Sequence, residues 1–259
     1  MLHTRSVMLR AARDIEAAAP GTVAFVNFEA DFDKPVVLRP TNMDRSTWER
    51  ALSVALSDLA SLVAPKRVVV CEGGSAQRFG EDGIDGEIYN RVFASTEPDA
   101  KFFSSGSHSD TEKARATLAA LSATVLPAME VRRLIDRDDR SDAEVVAERA
   151  RGTLVLTRRN LESYLFNDEI IRLLCRDAAK SEVADQIIST RTQLIASKGG
   201  NADDFKYVAG ETYVACKRLL QLTNPGNGAK AFMRDKLAPL VSPGTETFKQ
   251  LHEDIFEFA

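Results

Sequence analysis

Apolar residues recur along this chain in two rhythms, and the places where one gives way to the other mark its organisation. Arg67-Val68-Val69-Val70-Cys71 and Val131-Arg132-Arg133-Leu134-Ile135 are short apolar-rich runs that each close on acids, Glu72-Gly73-Gly74 after the first and Asp136-Arg137-Asp138-Asp139 after the second. Such runs read as buried strands of a parallel sheet. Around them, Ile84–Phe93 suits a helix, Lys101-Phe102-Phe103-Ser104 a strand, residues 110–121 and 143–150 two further helices, and Thr153-Leu154-Val155-Leu156 another strand. This alternation predicts an α/β unit, a parallel sheet flanked by crossover helices. Beyond Asn167 the apolar spacing becomes helical, with residues 181–198 and 203–222 as the long members and Gly199-Gly200 and Pro225-Gly226 as breaks.

The amino-terminal residues follow a different plan. Residues 23–28 and 35–38 are strand candidates separated by the turn-like Asp31-Phe32-Asp33-Lys34, and they are expected to pair as a hairpin. Ser46-Thr47-Trp48-Glu49 is a capping-box pattern opening a helix, with Leu52, Ala55, Leu56, Leu59 and Leu62 at helical spacing until Pro65. The expected division is therefore a strand pair and helix in residues 1–64, an α/β domain in 65–176, and a helical carboxyl-terminal region in 177–259.

Composition narrows the function. A chain of 259 residues with 44% hydrophobic content can bury a sizeable core. Its net charge of -4 gives no global basic field to draw it to nucleic acid or an anionic membrane, so any polyanion must be met locally. Cys71, Cys175 and Cys216 are far apart and lack metal-type spacing, which fits a reducing compartment and offers no zinc site. No apolar run is long enough to cross a bilayer and no signal core precedes Ala11, so a cytoplasmic location is expected, with no membrane partner.

Parallel sheets collect ligands outside the carboxyl ends of their strands. Glu72, Asp136 and Asp138 are thereby expected at one edge, where their mutual repulsion is relieved most simply by a divalent cation, Mg²⁺ or Mn²⁺. The plainer alternative is an acidic rim capping helix amino termini. Asp139 and Asp142 read as solvent-facing or paired with Arg137 or Arg140. Glu162 falls in the first turn of a helix behind the cap Asn160, a place that favours acids without catalysis, although the same position could aim it at a second metal. Arg158 and Arg159 suit either the grip of a phosphate backbone or the restraint of the carboxylates. His108 reads as a surface loop residue and Tyr164 as core, which weighs against topoisomerase chemistry.

Glu72-Gly73 after one strand and Asp136-Arg137-Asp138 after a later one resemble the acidic motifs of the Toprim domain. The stretch Thr157-Arg158-Arg159-Asn160-Leu161-Glu162-Ser163-Tyr164-Leu165 is similar to the arginine-rich helix start of the OLD-like (overcoming lysogenization defect) Toprim nucleases. The resemblance spans about residues 65–174. It implies a Mg²⁺-dependent endonuclease of bacterial or phage defence, acting on DNA before RNA, with Glu72, Asp136, Asp138 and Glu162 as catalytic and metal-holding residues and Arg158 and Arg159 on the nucleic acid. Such enzymes commonly join the Toprim domain to an ABC-type ATPase. Leu2-His3-Thr4-Arg5-Ser6 faintly resembles an ATPase switch segment, yet no GxxxxGK[ST] loop is present, so a separate ATPase partner is expected. A homo-oligomer, a ribonuclease or primase-like activity, and a catalytically degenerate regulator stay open. Two departures stand out. Many OLD-like enzymes carry a second acid four positions after the first glutamate, where this chain has Ala76, with Asp82 and Asp85 as candidate substitutes. The family's catalytic lysine finds its nearest candidate in Lys230.

Overall fold

Val68, Val69 and Val70 occupy the middle of a strand buried on both sides, and the sheet in this computed structural model is built outward from it. The structure describes residues 11–12, 14–25, 41–42, 65–74, 82–125 and 129–257. Strand β1 (Arg67–Cys71) lies between β2 (Ala100–Ser104) and β3 (Glu130–Ile135), and β4 (Thr153–Val155) pairs outside β3. All pairings are parallel, in the order β2-β1-β3-β4, with Cys71 opposite both Ser104 and Leu134 and Ile135 opposite Val155. The expected α/β sheet with helical flanks and a helical carboxyl-terminal region is the architecture observed.

Four helices follow or connect the strands: α1 (Ile84–Phe93), α2 (His108–Val125), α3 (Asp142–Ala150) and α4 (Leu161–Leu165). Helix α3 starts on a full capping box, Ser141 and Glu144 satisfying each other's backbone N–H groups. Alternation along the strands sends Val69, Cys71, Phe102, Leu134 and Leu154 to one face and Ile135 and Val155 to the other, against Val145 of α3. Arg133 is buried on that second face, where Glu112 of α2 (2.7 Å) and Glu148 of α3 (3.2 Å) hold its guanidinium. A strand containing two arginines is thus compatible with burial.

The first face packs against α1 and helices that follow α4. Helices α5 (Asp168–Asp177), α6 (Ala184–Lys198), α7 (Ala209–Leu220), α8 (Ala229–Phe232) and α9 (Glu246–His252) supply Ile170, Ile187, Cys216, Phe232, Phe248 and Leu251 to the same core as Val69 and Phe102. The boundary expected near residue 176 does not separate two cores. Past α9, a turn of π-helix at Glu253–Glu257 carries Asp254, 1% exposed, to the end of β4. There it accepts hydrogen bonds from the Thr157 N–H (2.9 Å) and from the hydroxyls of Thr157 and Tyr164.

Residues 65–123 and 129–259 form this unit; residues 1–64 with 124–128 form a second one. In the second unit Ala24–Phe25 pairs antiparallel with Thr41–Asn42. The partner expected from the sequence, 35–38, the helix expected from Ser46 and the segment Leu2–Ser6 all lie outside the described residues. Among the described residues no helix is long and apolar enough to cross a membrane.

Candidate functional site

Because β1 and β3 are neighbours in parallel register, the acids that close them emerge side by side. The Glu72 N–H still donates to the Leu134 carbonyl (3.1 Å), and the Asp136 N–H in turn donates to Glu72 Oε2 (3.1 Å). The first acidic motif therefore caps the start of the second. Gly73 leaves the strand with φ 139° and donates to the Gly106 carbonyl at 3.1 Å. A Cβ at Gly73 would stand 1.6 Å from Asp85 Oδ2, so the glycine is the space that Asp85 fills from the first turn of α1. Asp82 does not share this role, since its carboxylate binds Lys101 and Asn90. Of the two candidates for the acid missing at position 76, Asp85 is the one brought to the cluster; Ala76 itself lies outside the described residues.

Glu162 arrives from the far side. Its helix is capped by Asn160, as expected, through a hydrogen bond accepted from the Ser163 N–H (3.0 Å), and Glu162 is only 9% exposed. Two ammonium groups face these acids. Lys206, on the 3-10 turn Phe205–Val208, donates to Asp136 Oδ2 at 3.2 Å. The Nζ of Lys230, at the start of α8, stands 3.4 Å from where a Cβ on Gly74 would be.

Burial dominates the electrostatics. It lifts the Asp136 carboxyl to about 7, against the attraction of Lys206 and with further repulsion from Glu162 and Asp138. Burial likewise raises Asp85 to about 6, with Lys230 opposing and Asp136 reinforcing the shift. Glu162 also moves upward through burial, moderated by Lys206. For Lys206, burial disfavours the ammonium, but Asp136 and Glu162 more than offset it and its pKa lies above the ordinary lysine value.

The remaining expected residues stand nearer the rim. Asp138 holds a left-handed backbone (φ 48°) fixed by its N–H to the Arg159 carbonyl at 2.8 Å, and its side chain, 52% exposed, lies 3.6 Å from Arg140. Arg158 donates to Gln250 Oε1 (2.7 Å) and to the Ser163 carbonyl (3.0 Å), and packs over the Tyr164 ring. Arg159 pairs with Asp139 (2.7 Å) and Asp203 (3.2 Å). Both guanidinium groups thus brace the loop that delivers Glu162. Asp142 pairs with Arg137, and Tyr164 is fully buried, as the sequence pattern predicts. His108 opens α2; its side chain lies outside the described residues.

Lys206 is the residue that sequence reasoning missed. It lies 70 positions after Asp136, in a segment with no motif, and only the packing of the helical region on the sheet brings it in. By chemistry alone the donor set, all carboxylate oxygen, is of the kind a hard divalent cation takes. Among the described residues, no three of His, Cys, Asp or Glu are placed to hold one ion, and an ammonium neutralises Asp136. In comparisons with known proteins, no family model, curated protein or solved structure matches this chain.

Proposed function

We propose that this chain is a metal-dependent phosphodiesterase acting on nucleic acid, a Toprim-type nuclease resembling the OLD-like enzymes. The observation that carries this reading is the gathering of Glu72, Asp85, Asp136 and Glu162, from four separate segments, at the carboxyl edge of a parallel sheet with Lys206 and Lys230 among them. Burying several carboxyl groups together is costly, and such clusters concentrate where chemistry uses them. A divalent cation, when bound, supplies an activated water and stabilises the leaving oxygen. The resemblance assigns that cation to Glu72, Asp136, Asp138 and Glu162, with Asp85 in the role of the acid four positions after the first glutamate; as the described residues stand no three of them are placed to hold one ion, so binding would have to draw them closer. Lys230 offers a positive charge to a phosphate oxygen beside Gly74. DNA is the substrate put first, RNA the second.

The test is cleavage of supercoiled plasmid, nicked DNA and structured RNA in Mg²⁺ or Mn²⁺, with Asp136→Asn as the control. Cleavage by wild type and none by the variant supports the reading; equal cleavage by both places the chemistry elsewhere. A second reading, a degenerate Toprim subunit serving a separate ABC-type ATPase, draws on the lysine that neutralises Asp136 and on the spread of the acids. An inactive purified chain that captures an ATPase from its native host would favour it.

A further inference from the structure

The segment between α6 and α7 is fastened along the rim of the site. Asn201 donates to Asp139 (3.2 Å), Arg159 to the Asp203 carboxylate (3.2 Å), Ser163 Oγ to the Asp203 carbonyl (2.6 Å), and Lys206 to Asp136 (3.2 Å). The next residue is Tyr207, the one aromatic among the large apolar side chains that the described residues leave exposed, at 53%. Single exposed apolar residues are ordinary, but this ring is held in place. A Cβ at Gly200, just past α6, would stand 3.3 Å from its Cδ1, so the glycine leaves room for the ring to lie close against the turn. Lys198 Nζ lies 4.9 Å from the ring centroid and donates to the Tyr207 carbonyl (3.3 Å) and to Glu211 (2.5 Å). Asp204 accepts the Tyr207 N–H at 3.3 Å. Side chain and backbone are both braced, while more than half of the residue stays open to solvent.

We propose that Tyr207 is a stacking platform for an unpaired nucleobase, so that the site takes single-stranded or locally unwound nucleic acid. This rests on the nuclease reading of the site. Every base offers a π face, and an aromatic side chain already fixed in place gives up little freedom when a base stacks on it. The charges around the ring favour this part of the nucleic acid over its backbone. Lys198 and Lys206, on either side of Tyr207, each already hold a carboxylate, and Asp139 and Asp203 are exposed nearby, so the rim draws phosphates weakly. The face of a base carries no net charge and meets no such repulsion. Within a duplex both faces of a base are covered by its neighbours, so the ring can be reached only by a base that has left the stack.

The test is fluorescence anisotropy of the full chain in EDTA with labelled probes of equal length: an oligothymidylate, a strand of the same backbone with abasic positions throughout, and a duplex. Wild type should bind the thymidylate roughly tenfold more tightly than either other probe, and Tyr207→Leu should lose that margin. Tyr207→Phe, which keeps the ring, should stay within about twofold of wild type. Should Tyr207→Leu fail to fold, the comparison of thymidylate with the abasic strand on wild type decides. Equal thymidylate binding by wild type and Tyr207→Leu, or equal binding of thymidylate and abasic strand by wild type, overturns the platform. Cleavage of single-stranded DNA in Mg²⁺ by the same preparations separates this proposal from the reading beneath it. Cleavage without the base-dependent margin removes the platform and leaves the nuclease standing; absence of both cleavage and binding removes both.

Discussion

At the scale of single residues, the site is governed by what burial does to a carboxyl group. Asp136 titrates in the folded chain at about 7, whereas an unfolded aspartate titrates near ~4. A folded pKa above the unfolded one means that the folded state holds the proton more tightly. The stability so gained is fully present below about pH 4 and is lost as pH rises through about 7. Asparagine resembles the protonated acid at every pH. Asp136→Asn should therefore match wild type near pH 4 and exceed it at pH 8 by about 1–3 kcal/mol, the attraction of Lys206 being already contained in the shift. Thermal melts of the metal-free proteins across that range check the sign; a gap that widens toward acid contradicts the assignment. Gly73 gives a second prediction at this scale. Alanine there meets the Asp85 carboxylate and also inherits a φ of 139°, so Gly73→Ala should destabilise the fold by about 2–4 kcal/mol and drive Asp85 out of the cluster. Denaturant melts measure the first effect. If Asp85 and Gly73 act through this contact, the double variant Gly73→Ala, Asp85→Ala should be less destabilised than the sum of the two single changes.

Elements were legible where they obey local rules. Arg67–Cys71 and Ile84–Phe93 fall where hydrophobic spacing puts them, and Asn160 caps α4 because its side-chain oxygen can reach the Ser163 N–H three residues on. Glu72 and Asp136 could be placed at one edge because sheet geometry follows from the strands alone. Lys206 and Asp254 could not. Each reaches its partner across a long stretch of chain, and a lone lysine or aspartate in a helical segment carries no mark of the residue it will meet. Asp254 shows how much depends on such contacts. From its π-helical turn it holds the Thr157 backbone and the Tyr164 hydroxyl, and Tyr164 Oη accepts the Arg158 N–H at 2.9 Å. Asp254→Ala leaves buried donors without acceptors, so it should cost about 3 kcal/mol. The loop carrying Arg158, Arg159 and Glu162 should loosen with it. Hydrogen exchange should report faster opening at residues 157–163 than in β1; uniform acceleration throughout the unit would mean that Asp254 supports the whole core and not this loop.

For the whole molecule, the decisive fact is that the sheet and the carboxyl-terminal helices share one hydrophobic core. Val69 and Phe102 from the strands belong to the same buried cluster as Phe232, Leu237, Phe248, Leu251 and Ile255. Phe93 of α1 packs against Phe248 and Phe256, and Arg67 of β1 lies over the Phe256 ring at 5.2 Å. A chain cut after residue 176 would expose the first face of the sheet and lose Lys206, Lys230 and Asp254 together. Each large apolar side chain left unburied forfeits about 1.5–3 kcal/mol, and a domain's net stability is only about 5–15 kcal/mol, so a few such losses suffice to unfold it. Residues 65–176 alone should therefore fail to fold, although the alternation of strands and helices led to the expectation that they form a domain of their own. A chain beginning at Pro65 and running to residue 259 keeps this core whole, and it should melt cooperatively. Circular dichroism and denaturant melts of the two fragments test the contrast. A cooperative transition in the 65–176 fragment would show that the sheet holds its fold without the helices, and the placement of Lys206 and Lys230 would then be an addition to a self-sufficient domain instead of part of its construction.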